Sequence, residues 1–325
     1  MNEIESRIPV TIVTGYLGSG KTTFLNHILK NTEEKAAVIV NEFGDIGIDD
    51  QLIEQTNEEI IEINSGCICC NVRKDLIDTL SMLSFSKKES MVEYDRVIIE
   101  TTGLADPAPV VQTFLMDKDM IEDYVIDSVC TLVDAQHISR HLDHQGEALS
   151  QIAFADTVLV NKIDLVDHDQ LEHLTKRLER INPTASLYLC RNSQISLDKV
   201  LDTYSFDLQE KISINPDFLN EDHHHHEDEV SSLSIREDKP LSLKKLNLWF
   251  SFLVQIEGER LYRYKGVLNI EGEEKRYVFQ GVHMLFAGEA GSDWGKSSRQ
   301  SELVFIGKNL DKDRLTEQFR KCVAE

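Results

Sequence analysis

A β-branched run, Val10-Thr11-Ile12-Val13-Thr14, leads straight into Gly15-Tyr16-Leu17-Gly18-Ser19-Gly20-Lys21-Thr22, and a helical pattern from Thr22 to Lys30 follows. No other feature constrains the fold as strongly. The octapeptide satisfies G-x-x-x-x-G-K-T, a loop that works only between a strand and a helix. Its glycines let the backbone wrap closely around an anion, so that successive N–H groups and the helix N-terminus converge on it. Gly15, Gly18, Ser19, Gly20, Lys21, Thr22 and Thr23 are therefore expected to cradle phosphates. In this reading Lys21 reaches the β and γ phosphates and the Thr22 hydroxyl holds Mg²⁺. The plainer alternative, a glycine-rich turn with no ligand, is disfavoured by the strand before it and the helix after it.

From Pro9 to about Cys190 the same alternation continues, as in the βαβ units of a parallel sheet. Strand-like runs occupy Val10 to Thr14, Ala36 to Asn41, Glu59 to Ile63, Arg96 to Glu100, Asp127 to Asp134 and Thr157 to Asn161. Helical patterns cover Thr22 to Lys30, Val72 to Leu83 and Gln170 to Ile181. The pattern predicts a doubly wound α/β fold, which binds ligands beyond the carboxyl ends of its strands. After Tyr204 the periodicity fades into a polar, acidic stretch, and it resumes at Val230 with a short strand to Ile235. Pro240 and Ser242 then open a helix with Leu246, Trp249, Phe250 and Leu253 on one face. Strands are expected at Lys265 to Ile270, Arg276 to Phe286 and Glu302 to Ile306, and a helix from Asp311 to about Val323. The predicted organisation is a P-loop domain over 1–204, a linker over 205–229 and a smaller α+β domain over 230–325.

With 41% hydrophobic residues, a chain of 325 can bury a substantial core. Its 57 acidic against 34 basic side chains give a net charge of −23, which repels nucleic-acid backbones and anionic lipid surfaces. No apolar run reaches the roughly 20 residues of a membrane span, and Met1 to Arg7 lacks the order of a signal peptide. A cytoplasmic protein is expected. In a reducing compartment six cysteines are poor disulfide partners, so a cluster among them points to metal or redox chemistry. Cys130, Cys190 and Cys322 are dispersed among apolar neighbours and are read as core residues. Cys67, Cys69 and Cys70 are clustered.

Asn161-Lys162-Ile163-Asp164 stands at the end of a later predicted strand and resembles the guanine-reading motif of GTPases. There the carboxylate pairs with the N1 and amino donors of the base while the lysine stem covers the ring. Adenine lacks those donors, so a carboxylate placed to meet them rejects it. GTP is thus the expected nucleotide. Between these motifs the strand Arg96 to Glu100 runs into Thr101-Thr102-Gly103-Leu104-Ala105-Asp106-Pro107, where a switch segment is expected to meet the γ-phosphate. Glu100 is expected to reach Mg²⁺ through water and to be catalytic together with Lys21. Gly103 is placed to offer its N–H. No arginine finger or switch glutamine is evident, which predicts slow intrinsic hydrolysis.

Gly66-Cys67-Ile68-Cys69-Cys70 and Asn41-Glu42-Phe43-Gly44 complete a set of ordered motifs. Together with Gly-Tyr-Leu-Gly-Ser-Gly-Lys-Thr-Thr, Glu-Thr-Thr-Gly-Leu-Ala-Asp-Pro and Asn-Lys-Ile-Asp, they resemble the CobW family of GTP-dependent metallochaperones. The likeness continues through Tyr264-Lys265-Gly266, Val278-Phe279-Gln280-Gly281-Val282-His283 and Leu303-Val304-Phe305-Ile306-Gly307. It implies a metal held by Cys67, Cys69 and Cys70 beside the nucleotide, with Glu42 as a further ligand candidate. It also implies transfer to a client metalloprotein that the sequence does not identify. Thiolate chemistry agrees, because soft sulfur favours Zn²⁺ or Cu⁺ over Mg²⁺. A redox pair or buried structural cysteines are the alternatives, and the adjacency of Cys69 and Cys70 makes them awkward disulfide partners.

The run Glu221-Asp222-His223-His224-His225-His226-Glu227-Asp228-Glu229 reads as a loop able to collect Zn²⁺ or Ni²⁺, or as a plain solvated acidic segment. This run favours zinc among the family's metals, with cobalt as the alternative. A P-loop phosphotransferase with a structural metal is the rival from another class. His283 is read as a satisfied histidine within a strand, and the chain as a monomer or weak dimer.

Overall fold

The structure is a computed structural model, and it describes residues 7–41, 60–63, 72–144, 146–206, 230–295 and 298–324. Of these, the residues up to Thr175 with Ser186–Phe206 form one compact unit, and Lys176–Ala185 with those after Asp207 form a second.

The first unit is built on a wholly parallel seven-stranded sheet. Its strands are β1 (Ile8–Gly15), β2 (Ala36–Asn41), β3 (Ile60–Ile63), β4 (Arg96–Glu100), β5 (Tyr124–Asp134), β6 (Thr157–Asn161) and β7 (Ser186–Leu189), in the order β3-β2-β4-β1-β5-β6-β7. Every residue of β4, β5 and β6 is buried, as befits strands covered on both faces. The register sets Val13 beside Glu100, Val40 beside Glu100 and Asn41 beside Ile63, so β1, β2, β3 and β4 all end at the same edge. Helices α1 (Lys21–Asn31), α2 (Val72–Lys88), α3 (Ala108–Met116), α4 (Lys118–Asp123), α5 (Ile138–His144), α6 (Gly146–Phe154) and α7 (His168–Ile181) connect the strands. Phe24, Leu25, Ile28 and Leu29 of α1 pack on Val13, Val38, Ile98 and Leu132 of the sheet.

At the opposite edge of that sheet, the buried Arg96 guanidinium binds Asp202 at 2.7 and 2.8 Å and Glu34 at 2.6 Å. The fully buried Asp127 carboxylate accepts the backbone N–H groups of Asp202 and Tyr204 at 2.9 and 2.7 Å. Burial raises the pKa of Asp127 despite these bonds and the nearby Arg96. This cluster anchors the chain where it leaves the sheet.

In the second unit an antiparallel sheet has the order β11-β10-β9-β12-β8, made by β8 (Val230–Glu237), β9 (Leu261–Leu268), β10 (Lys275–Val282), β11 (Leu285–Asp293) and β12 (Ser301–Lys308). Helices α8 (Leu243–Glu257) and α9 (Lys312–Arg320) complete it, capped by the side chains of Ser242 and Asp311. Leu246, Phe250 and Leu253 of α8 pack against Tyr264, Phe279 and Phe305.

One expectation is corrected here. The stretch Arg276 to Phe286 is not one strand but two, folded into a hairpin where Val282 pairs with Leu285. Its two-residue turn is His283-Met284, and His283 takes φ 52° without the glycine or asparagine that announces such a turn. His283 therefore sits in a turn, and its Nδ1 lies 3.2 Å from the Gly258 carbonyl.

Cys130, Cys190 and Cys322 are buried, as the sequence suggested. Burial raises the pKa of all three thiols, pushing Cys190 and Cys322 up to about 11. None should be alkylated by iodoacetamide in the native protein at pH 8, whereas all three should react in denaturant. Peptide mass mapping checks this, and native labelling at any of the three would contradict the burial.

Candidate functional site

The loop between β1 and α1 turns at Gly18 and Gly20, with φ 75° and 108°. Gly20 has a second reason to lack a side chain: a Cβ there would lie 2.5 Å from Asn161 Nδ2 and 2.9 Å from Ser193 Oγ. Phe24 N–H donates to the Gly20 carbonyl, so the helix starts directly from the loop. Lys21, largely buried, folds back to donate to the Gly15 carbonyl at 2.9 Å. Ser19 Oγ is buried and makes no hydrogen bond within the protein. A buried hydroxyl costs stability unless something accepts from it or donates to it, and a phosphate oxygen at this position would do so. Thr23 is exposed on the first turn of α1.

Thr22 Oγ1 lies 3.4 Å from Glu100 Oε1 at the end of β4. A hydroxyl and a carboxylate facing each other beside a phosphate loop are the hard oxygen donors that suit Mg²⁺. After Glu100 the chain is tied to β1 through Thr101 N–H to the Val13 carbonyl and Thr101 Oγ1 to Thr14 Oγ1, both at 2.9 Å. Gly103 then passes so near the phosphate loop that a Cβ would lie 2.7 Å from Leu17 N. The structure thus brings Lys21, Thr22, Glu100 and Gly103 together.

Asn161 links this loop to the other end of the site. Its Nδ2 donates to the Ser19 carbonyl at 2.9 Å and to Ser193 Oγ at 3.0 Å, while its Oδ1 accepts Ser193 N–H at 2.9 Å. Lys162 adopts φ 60°, and its ammonium donates to the Gly18 carbonyl at 2.7 Å and to Asp134 Oδ2 at 2.8 Å. Burial works against the Asp134 carboxylate, but hydrogen bonds from Lys162 and His137 outweigh it and lower its pKa. Asp134 therefore stays charged until pH falls through that lowered value, and its contribution to stability is lost only there. Asp164 is exposed on a 3₁₀ turn, Ile163–Leu165, available to a ligand.

Three residues of this site escaped sequence reading. Ser193 lies in a left-handed turn after β7 and reaches Gly20 O at 3.1 Å. Asp134 ends a strand. Gln151, buried on α6, donates its Nε2 to the carbonyls of Gly103 and Ala105 at 3.2 and 3.1 Å and so holds the segment after β4. Each serves through tertiary neighbours, and none belongs to a contiguous motif; the turn-forming pair Asn192-Ser193 was the one local signal. Glu42, Cys67, Cys69, Cys70 and His223 to His226 lie outside the described residues. Among the described residues no three histidine, cysteine or carboxylate side chains cluster as metal ligands, and no helix is long and apolar enough to cross a membrane.

Comparison with known proteins agrees with this geometry. Residues 9–188 match the CobW/HypB/UreG nucleotide-binding domain, and residues 230–323 match the cobalamin synthesis protein cobW C-terminal domain. The zinc chaperone YjiA of Escherichia coli is 37% identical over 96% of this chain and 98% of its own. The zinc-regulated GTPase metalloprotein activator 1 of Saccharomyces cerevisiae is 29% identical over 98% of this chain and 84% of its own. The crystal structure of the Zn(II)-bound YjiA GTPase from E. coli superposes with a TM-score of 0.80 at 33% identity, covering 98% of this chain and 99% of that one. The chain belongs to the family defined by the CobW/HypB/UreG nucleotide-binding domain, in the form that also carries the cobW C-terminal domain.

Proposed function

We propose that this protein is a GTPase that binds zinc through Cys67, Cys69 and Cys70, with Glu42 as a further ligand, and releases it to a client metalloprotein when GTP is hydrolysed. One observation carries the reading: β1, β2, β3 and β4 all end at one edge of the sheet. The phosphate loop follows β1 and Glu100 ends β4. Glu42 is the residue next after β2, and the stretch containing the cysteines begins where β3 ends and stops where α2 begins. Relatives named for zinc, one of them solved with Zn(II) bound, support the choice of metal.

In this reading Lys21 and the N–H groups of the loop bind the β and γ phosphates, and Asp164 reads the guanine edge. Thr22 would hold Mg²⁺ directly and Glu100 through water, and the ion when bound would supply positive charge to the phosphate oxygens during transfer to water. Gln151 reaches the switch segment, and its Nε2 donates to the carbonyls of Gly103 and Ala105. It orients backbone rather than attacking water, in keeping with slow turnover. The γ-phosphate orders the flanking segments, and the thiolate cage tightens with them.

The test is a competition titration of Zn²⁺ against a chromophoric chelator, with GDP and with a non-hydrolysable GTP analogue. Coupling of about 1–3 kcal/mol should make zinc binding roughly 5- to 150-fold tighter with the GTP analogue. Reciprocity then requires zinc to tighten nucleotide binding by the same factor. Cys67→Ala and Cys69→Ala should abolish the nucleotide-dependent site, while deletion of His223 to His226 should lower only total zinc stoichiometry. Equal zinc affinity in both nucleotide states would leave a GTPase carrying an incidental metal.

A further inference from the structure

We infer that Asp134 is a positioning residue for guanine recognition, holding the Lys162 ammonium so that the lysine stem is fixed in the place where it covers the base. The inference rests on the reading of Lys162 and Asp164 as the base-reading residues. A lysine side chain has four rotatable bonds and a large rotamer entropy, much of which a ligand would otherwise have to remove on binding. Here Lys162 is held from two sides: the Gly18 carbonyl of the phosphate loop at 2.7 Å and Asp134 Oδ2 at 2.8 Å. Its backbone is fixed as well, at φ 60°, one residue beyond the end of β6.

Asp134 is suited to the task because its own position does not depend on the lysine. It is the last residue of β5, paired in register with Asn161, and the next N–H, that of Ala135, donates to the Asn161 carbonyl at 2.9 Å. Its Oδ1 accepts the N–H groups of Gln136 and His137 at 2.9 and 3.2 Å, closing a local turn. His137 Nδ1 lies 3.1 Å from Oδ2. With its side chain only 11% exposed, the carboxylate is a rigid, weakly screened counter-charge, unlike a mobile surface partner. Lys162 thereby becomes a strut between the phosphate loop and the end of β5.

Titration calorimetry of the full chain with GTP and with inorganic tripolyphosphate, which has phosphates and no base, separates positioning from mere structural support. Asp134→Asn keeps the acceptor for Gln136 N–H and removes the charge. It should weaken GTP binding roughly 10-fold or more, the usual scale for a hydrogen bond to a charged group, and leave tripolyphosphate binding unchanged. In a Lys162→Met background, which keeps an apolar stem without the ammonium, Asp134→Asn should have no further effect. Asp134→Ser, which retains the local turn but is too short for the lysine, should repeat the pattern if the asparagine variant folds poorly. Equal losses for GTP and tripolyphosphate, or additive losses in the double variant, would overturn the inference. An Asp164→Asn chain with full GTP affinity would instead overturn the base reading itself, while the Asp134 and Lys162 cycle still decides whether the two residues act as one.

Discussion

Lys21→Ala should abolish GTP hydrolysis and leave nucleotide binding undetectable at micromolar concentrations. The ammonium is largely buried and donates to the Gly15 carbonyl inside the loop, where the proposed function puts the phosphates within its reach. Truncating one partner of a desolvated charge pair typically costs about 2–5 kcal/mol, or roughly 30- to 5,000-fold in affinity. The fold should survive, because the helix is held by Phe24, Leu25, Ile28 and Leu29 in the core. Calorimetry with GTP and GDP, alongside a thermal melt, gives the answer. Normal turnover by this variant would contradict the assignment of the loop.

Asp164→Asn carries the second large effect. A carboxylate meeting two donors of guanine makes two charge-assisted hydrogen bonds, each worth about 1.5–3 kcal/mol, so the amide should cost GTP roughly 100- to 10,000-fold. Xanthosine triphosphate presents an acceptor where guanine has its amino group, and it should bind the variant better than GTP does. Because Asp164 is exposed on its 3₁₀ turn, the substitution disturbs no packing and stability should be unchanged. If the unaltered protein bound ATP and GTP equally, Asp164 would not be reading the base.

Much of this site was legible because it is written in contiguous chemistry. Gly15 to Thr22, Glu100 to Gly103 and Asn161 to Asp164 each carry their own geometry: a glycine-permitted turn, a strand end, a strand followed by a left-handed residue. The central strands were readable for a similar reason, since β4, β5 and β6 are covered on both faces and show nearly continuous apolar runs. β7 was not, as its residues are partly exposed and short of a pattern. The hairpin at His283 was hidden because an apolar sequence ran through the turn, and its left-handed residue is not the glycine or asparagine that marks such turns. Ser193, Asp134 and Gln151 were hidden because their roles are defined by partners distant in the chain, 32 residues from Ser193 to Asn161 and 48 from Gln151 to Gly103. The Lys162 ammonium is shared between two such distant partners, and only coordinates could assign it.

The asparagine at the end of β6 bears on how such a pocket could change its preference over evolution or by design. Asn161 uses both ends of one amide to join Ser19, in the phosphate loop, to Ser193, in the turn after β7. Gly20 is pressed against the same amide, so even a methyl group there would push the joint apart. Affinity for phosphate and shape around the base are therefore not separate dials at this position, and substitutions of Asn161 or Ser193 that widen base acceptance should loosen the grip on every nucleotide at once. Asp164 stands clear of that joint. A lineage or an engineer seeking a different base would find its one unencumbered route there.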